Sequence, residues 1–500
     1  MGRTGTVELP PCASCASTQR ENRRLRTRVE QLEKEIERLL KQHKLDQAEL
    51  SRLKDLLEKA RRAGKRQAAP FSKGPPKKQP RRPGRKRGKK HGKKAHRKPP
   101  KQVHETFEAS LPKSCPECDG EVEEQRVAVQ YQTDLPPVIE PWVRQFNVHV
   151  GDCLRCGRRL QGRHPLQTSD ALGAAASQVG PRALALAAEL KLATGMSYVK
   201  LSHLLDNTFH LSITPGGLCL ALQRIGRVVE PTYEALKQAV RKAPWVSPDE
   251  TGWRVGGVST WLWVYVTTWV TFYAVEFGRG FKEAAKVLGE DYRGKMARDG
   301  WAPYRRFQQA LHQSCLHHLL RRCHDNLETA LGGTARFPHA VKRLLKKALE
   351  LRDRRDAGEI SAHGLAVATG RLKANMKRLL AWRPKEEENR KFAKHLRKEQ
   401  AALFTFLQHP ELPATNHLAE QALRPIIATR KNCGGGHRTW KGAKTFARIA
   451  TVFRTALQQG LDPQLIFVSL LRCPKSTVAK DLLPEDDPAN PARPPPTSST

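Results

Sequence analysis

Hydrophobic positions change their period several times along the chain. Between residues 20 and 60, Leu25, Val29, Leu32, Ile36 and Leu39 recur in alternating steps of four and three. Leu50, Leu53 and Leu57 resume the same register, and charged residues fill the positions between. Apolar side chains at that spacing form one seam on a helix. The stretch predicts a coiled coil and a homo-oligomer joined through residues 20–60, or else one amphipathic helix packed on the body. Residues 166–243 keep a helical period: an Ala/Leu-rich helix around 182–192, then SYVKLSHLLDN, then TPGGLCLALQRIGRVVEPTYEALKQAV. Thr214 is placed to cap the last of these and Pro215 to open it. Two short helices with a turn between them permit a helix-turn-helix; plain helical packing accounts for them equally well.

From residue 244 strands and helices alternate. WVSPDETGWRV reads as a strand ending in a Gly256-Gly257 turn. Strands follow at 260–267 and 270–277, then a helix at 281–288, a short strand at 294–298 ending at Asp299, and a helix at about 315–327. The run WLWVYVTTWVTFYAVEF is barely long enough to span a membrane. Its aromatic and β-branched residues fit two buried strands better, so no membrane partner is expected. Three meandering strands, a helix and a fourth strand match a ribonuclease H-like order, in which the first and fourth strands lie side by side. Asp249 and Asp299 are then expected to approach each other. Residues 336–410 are basic and helical and read as an insertion. Residues 414–424 form a helix bearing Glu420, with Thr415 as cap and Pro425 to kink or end it. A last helix runs over about 444–459.

The fold class is therefore multidomain α/β: a ribonuclease H-like mixed sheet with a helical insertion, preceded by a coiled coil, a zinc ribbon and a helical region. The expected divisions are disorder at 1–19, a coiled coil at 20–60, a basic linker at 61–104 and a zinc ribbon at 105–165. A helical DNA-binding region follows at 166–243. The core comes in two parts, 244–335 and 411–465, around the insertion at 336–410, and a disordered tail fills 466–500.

Charge adds a partner. The chain has 89 Lys and Arg against 49 Asp and Glu, a formal charge of +40. Such an excess points to a polyanion, with double-stranded DNA the default. Lys and Arg crowd the linker without an acidic residue, and Arg85, Lys86, Arg87, Lys89 and Lys90 stand at its densest point. Cations so placed neutralise phosphates without reading sequence. The N-terminus, MGRTGTVELPPCASC, has no apolar run of the secretory kind, so a cytoplasmic, nucleoid-associated protein is expected. Of the eleven cysteines, six form CxxC pairs. Cys115 with Cys118 and Cys153 with Cys156 can close a tetrahedral thiolate cage around structural Zn²⁺. The residues between, VAVQYQTDLPPVIEPWVRQFNVHV, read as its strands. The isolated Cys12/Cys15 pair carries little.

Asp249, Asp299 and Glu420 are the candidate chemistry. Phosphodiester cleavage uses paired divalent ions held by carboxylate oxygens, Mg²⁺ or Mn²⁺ here. Glu250 points to the other face of its strand and is left out. Arg424, one turn after Glu420, either holds a phosphate or pairs with that carboxylate. The glycines at 434–436, flanked by Arg430, Lys431, Arg438 and Lys441, offer backbone N–H groups and charge to phosphates, or merely connect two helices. In HQSCLHHLLRR, His312, Cys315, His317 and His318 read as buried or hydrogen-bonded helix residues, with His318 able to face the carboxylates.

These residues together resemble the transposases of the insertion sequence 66 family. The resemblance spans roughly 20–465 and rests on the leucine-rich start, the basic linker, CPEC and CLRC, PDETGWRV with WLWVY, RDGWAPY, HQSCLHHLLR and NHLAEQALRPIIATRKN. Leu316 and His317 depart from it, standing where the family more often has an aromatic and a small residue. The resemblance implies a DDE-type transposase with Asp249, Asp299 and Glu420 as catalytic triad. It also implies binding to inverted repeats at the element ends, and small accessory proteins. The alternatives are a non-catalytic DNA-binding regulator derived from a transposase, and a ribonuclease H-like structure-specific nuclease.

Overall fold

The computed structural model describes residues 13–64, 100–133, 139–176, 178–432, 436–473 and 477–484. Arg85, Lys86, Arg87, Lys89, Lys90, Cys12, Gly434 and Gly435 lie outside the described residues. The chain divides into two compact units, Met1–Tyr131 and Gln132–Thr500.

In the first unit, helix α1 (Ala13–Gly64) is continuous over 52 residues. It begins inside the segment expected to be disordered, so 13–19 are helical. It also runs unbroken through the polar interruption of the seam, where Gln42 donates to Asp46 at 2.9 Å and Gln47 meets His43 at 3.0 Å. Side chains four residues apart satisfy each other there without bending the helix. Leu25, Val29, Leu32, Ile36 and Leu39 are all roughly half exposed along it.

The strands expected between 127 and 149 do not form among the described residues. Val127, Val129, Trp142 and Val143 stay more than two-thirds exposed. An isolated strand pair is marginal in water, and these exposed side chains gain little from pairing. In the second unit, β1 (Val150–Asp152) pairs antiparallel with β2 (Arg159–Gln161) around the second cysteine pair.

Four helices follow: α2 (Pro181–Ala193), α3 (Tyr198–Phe209), α4 (Pro215–Val228) and α5 (Glu230–Lys242). Ser197 caps α3 and Thr214 caps α4, each accepting from an N–H three residues on. Pro215 opens α4 as its sequence position requires. Leu201, Leu205 and Leu218 hold α3 and α4 together.

The sheet comes next. Its strands are β3 (Trp245–Val255), β4 (Val258–Val266) and β5 (Thr271–Glu276), then, after α6 (Phe281–Leu288), β6 (Lys295–Arg298) and β7 (Leu311–Ser314). The order is β5-β4-β3-β6-β7. β3 to β5 form an antiparallel meander, while β6 lies parallel to β3 through Trp245↔Lys295 and Val246↔Met296. The first and fourth strands are neighbours, as the ribonuclease H-like order requires, and the mixed sheet is compatible with that core. β7, unanticipated, pairs parallel to β6. The aromatic run of 261–277 supplies β4 and β5, and no described helix is long and apolar enough to cross a membrane.

Helices α7 (Leu316–Thr329), α8 (Arg336–Asp356), α9 (Ala362–Ala381), α10 (Glu387–Glu399) and α11 (Thr405–Gln408) build a second core. Phe337, Phe392, Leu396 and Phe406 are its fully buried centre. The insertion is thus built of helices, with no strand among its described residues. The chain returns to the sheet as α12 (His417–Asn432), which carries Pro425 inside it and does not stop there. α13 (Trp440–Gln458) and α14 (Pro463–Arg472) complete the unit. α14 overturns the disordered tail expected from 466: Phe467, Leu470 and Leu471 are buried in the main core, as is Leu482 beyond it.

Both sheet edges are closed by side chains. Thr451 and Thr455 of α13 accept from the N–H groups of Tyr273 and Thr271 on β5. Across the sheet, Gln313 of β7 accepts from Phe406 N–H and Thr405 donates to the His312 carbonyl. Backbone groups otherwise free on an edge strand are satisfied, which removes a template for edge-to-edge pairing.

Candidate active site

Each carboxylate arrives on a different element. Asp249 sits within β3, opposite Val264 of β4. Asp299 follows the last residue of β6. Glu420 lies in the first turn of α12. A polar seam brings the three elements together. The Ser247 hydroxyl reaches the Ala297 carbonyl at 3.2 Å and donates to Asn416 Oδ1 at 2.6 Å. Asn416 Nδ2 donates to the Pro248 carbonyl at 3.0 Å, and its backbone N–H points to Cys315 Sγ at 3.2 Å. Asn416, immediately before α12, is fully buried. Thr415, expected as the cap, instead turns to His417. A buried amide with both ends satisfied fixes one arrangement, because any other leaves it unpaired. Asn416 therefore locks the start of α12 against β3, one helical turn before Glu420.

The charges interact accordingly. Burial holds the Asp249 carboxyl well above the usual carboxylate range, and the charges of Glu250, Asp299 and Glu420 push it the same way. Its Oδ1 accepts from the Glu250 N–H. Asp299 Oδ1 accepts from Trp301 N–H at 2.9 Å. His318 on α7 places Nε2 3.3 Å from Glu420 Oε1, while its Nδ1 is buried without a partner. Burial lowers the His318 pKa against the upward pull of Glu420 and Asp299. The ring nitrogen and the carboxylate stand close together, each on its own helix. Beside these groups a cleft of about 250 Å³ opens between Asp299, His318, Arg322 and His395.

Glu250 faces away, as strand alternation demands. It accepts from Arg279 Nε at 2.5 Å and from the Tyr304 hydroxyl. The Arg279 guanidinium also lies 4.0 Å from the Trp301 ring centre and 4.9 Å from that of Trp261. His312 is held apart from the carboxylates by the Phe307 carbonyl and Arg298, and burial drops its pKa to about 4. Cys315 is buried behind Asn416, with its thiol pushed up by burial.

Sequence patterning missed a second polar group here. Glu399, the last residue of α10, is fully buried between Arg298 and Arg305, at 2.6 Å and 2.7 Å. Breaking a buried pair of this kind costs about 3–5 kcal/mol, because it strands a charge away from water. One acid in the basic run HLRKEQ gives no hint of this, since such a charge ordinarily faces solvent.

The predicted basic contacts divide. Arg424 is exposed, and among the described residues Glu420 pairs with His318, not with it. Lys431 and Arg438 are exposed. Arg430 is committed to β3: it donates to the Gly252 carbonyl and lies over the Trp253 ring. The described end of the glycine loop docks on the same strand. His437 exchanges backbone bonds with Arg254 and Gly256 and accepts from Trp253 Nε1 at 3.1 Å. A Cβ on Gly436 would collide with the Arg254 carbonyl, so the close approach needs glycine.

No three of His, Cys, Asp and Glu stand close enough among the described residues to enclose one metal ion. The three acids nevertheless suit a hard divalent cation chemically. They offer oxygen ligands, and although burial is the main cause that raises Asp249, the neighbouring negative charges that add to it are what a cation would offset.

The cysteine knuckles are built alike. Cys115 N–H donates to Gly120 and Asp119 N–H returns to Cys115; Cys153 N–H donates to Arg158 and Gly157 N–H returns to Cys153. Asp119 and Gly157 take the left-handed conformation that turns the chain. Backbone N–H groups of Glu117 and Cys118 lower the Cys115 thiol pKa, and those of Cys156 and Arg155 lower that of Cys153. Donors aimed at sulfur favour the thiolate, which is the form that binds metal.

No curated protein matches the chain. A family model described as "Transposase IS66 family" matches residues 176–445, more than half of the chain, and takes in Asp249, Asp299 and Glu420. The chain belongs to the IS66 family of transposases.

Proposed function

We propose that this transposase cuts DNA at insertion-sequence ends and joins the freed 3′-hydroxyl to target DNA, with Asp249, Asp299 and Glu420 as its catalytic carboxylates. The observation that carries this reading is the common electrostatic field. Burial and the adjacent Glu250 raise the Asp249 carboxyl most, and Asp299 from the end of β6 and Glu420 from the first turn of α12 both add to it, so the three acids share one neighbourhood. Divalent ions, Mg²⁺ or Mn²⁺, would be held by these three side chains and would supply activation of the attacking oxygen and stabilisation of the leaving one. Asp249 must lose its proton to serve. His318 stands against Glu420, and Asn416 fixes the helix that bears it. No Ser or Tyr nucleophile is required, because water and then the DNA 3′-hydroxyl attack phosphorus directly. Exposed Arg424, Lys431 and Arg438 are offered to DNA phosphates, together with the basic run around 85–90. Arg430 ties the end of α12 to β3. The thiolates of Cys115 and Cys118 and those of Cys153 and Cys156 would be the ligands of a structural zinc.

The substitutions Asp249→Asn, Asp299→Asn and Glu420→Gln test the assignment. Each is expected to abolish cleavage of a duplex carrying the element end while leaving its gel-shift affinity unchanged. Full Mg²⁺-dependent cleavage by all three variants refutes it. A regulator without catalysis would leave the intact chain inactive in the same assay.

A further inference from the structure

We propose that Glu399, supplied by the helical insertion, is a positioning residue that sets the orientation of Asp299. This rests on the reading of Asp299 as a catalytic carboxylate. Glu399 Oε2 accepts from Arg298 Nη1 at 2.6 Å, and Oε1 accepts from Arg305 Nη1 at 2.7 Å. The same two nitrogens donate onward: Arg298 Nη1 to the Asp299 carbonyl at 2.9 Å, and Arg305 Nη1 to the Gly300 carbonyl at 3.1 Å. One buried carboxylate thereby governs two consecutive peptide carbonyls, those of Asp299 and the residue after it.

The insertion closes the same turn from another side. The His395 ring, one helical turn before Glu399 on α10, occupies the space a Cβ at position 300 would need. Gly300 is required by this approach. Asp299 Oδ1 meanwhile accepts from Trp301 N–H, so the turn and the acid's side chain are one hydrogen-bonded unit. If Glu399 loses its charge, both guanidinium groups lose their shared anchor and the carbonyls they hold are released. Asp299 then remains present but poorly aimed. Groups that orient metal-binding side chains typically change metal affinity about 10–100-fold when removed.

The experiment uses the full-length chain with Glu399→Gln, Arg305→Met and, as control, Asp299→Asn. Mn²⁺ binding is read from the paramagnetic resonance signal of the free ion, alongside thermal melting, element-end affinity and end cleavage. Glu399→Gln is expected to weaken Mn²⁺ binding at least about tenfold and to slow cleavage, with element-end affinity unchanged. Arg305→Met keeps the Arg298–Glu399 pair and is expected to do the same to a smaller extent; it decides the matter if Glu399→Gln does not fold. Weakened Mn²⁺ binding in a chain that melts as the parent does supports the inference. Parental Mn²⁺ affinity and cleavage in Arg305→Met and in any folded Glu399→Gln, even with a lowered melting temperature, overturn it. Retained Mn²⁺ binding and cleavage in Asp299→Asn would instead remove the active-site reading beneath it.

Discussion

Asp249 is part-buried and shares its surroundings with Glu250, Asp299 and Glu420, and its carboxyl sits well above the ordinary range. The sign of the consequence follows from proton linkage. Between its ordinary value and the raised one, the folded chain keeps a proton that the unfolded chain has released. This group's contribution to stability therefore falls as pH rises through that window, and the penalty is complete above it. Cation binding must displace that proton. Divalent-cation affinity is accordingly expected to rise with pH across the window, with proton release, and Asp249→Asn should flatten the dependence. Calorimetric titration in two buffers of different ionisation enthalpy checks it; pH-independent affinity with identical heats contradicts it. Asp249, Asp299 and Glu420 stand out as candidates in the sequence because each is an acid within or just beyond a well-patterned element. Glu399 was not. Its value lies in Arg298, 101 residues away, and nothing in local patterning couples the two.

Elements were legible where one period persisted. β3, β4 and β5 announce themselves by β-branched and aromatic residues, and helix 281–288 lies where its sequence places it. β7 was lost because four residues, LHQS, are too short and polar to show alternation. α14 was lost because its short apolar run was assigned to the tail that follows. The strands expected across 127–149 failed for the opposite reason: alternation existed, but its side chains stay exposed. The two cysteine turns are alike, each with a left-handed residue and paired backbone bonds. At this scale the test is metal content. Cys115→Ser and Cys153→Ser chains purified without added metal are expected to carry less zinc than the parent by elemental analysis. Unchanged zinc in both would sink the thiolate assignment.

In the second unit the sheet is a platform closed at both edges by side-chain hydrogen bonds, with a helical insertion that has a core of its own. α7, which closes the first part of the core, brings His318, and the insertion touches the chemistry through α10, which brings Glu399. Strand adjacency could be anticipated from element order alone, because the ribonuclease H-like sequence of strands leaves β3 beside β6. The locking role of Asn416 could not, since it depends on a serine and a proline carbonyl about 170 positions earlier. The central claim is that acids distant in sequence serve one cation-binding centre. Replacing Mg²⁺ with Fe²⁺ and generating hydroxyl radicals at the bound ion tests it most directly, because the backbone is then cut where the ion sits. The account predicts cuts clustered near residues 249, 299 and 420 together, all lost in Asp249→Asn. Cuts at one of these segments alone, or elsewhere in the chain, would contradict it.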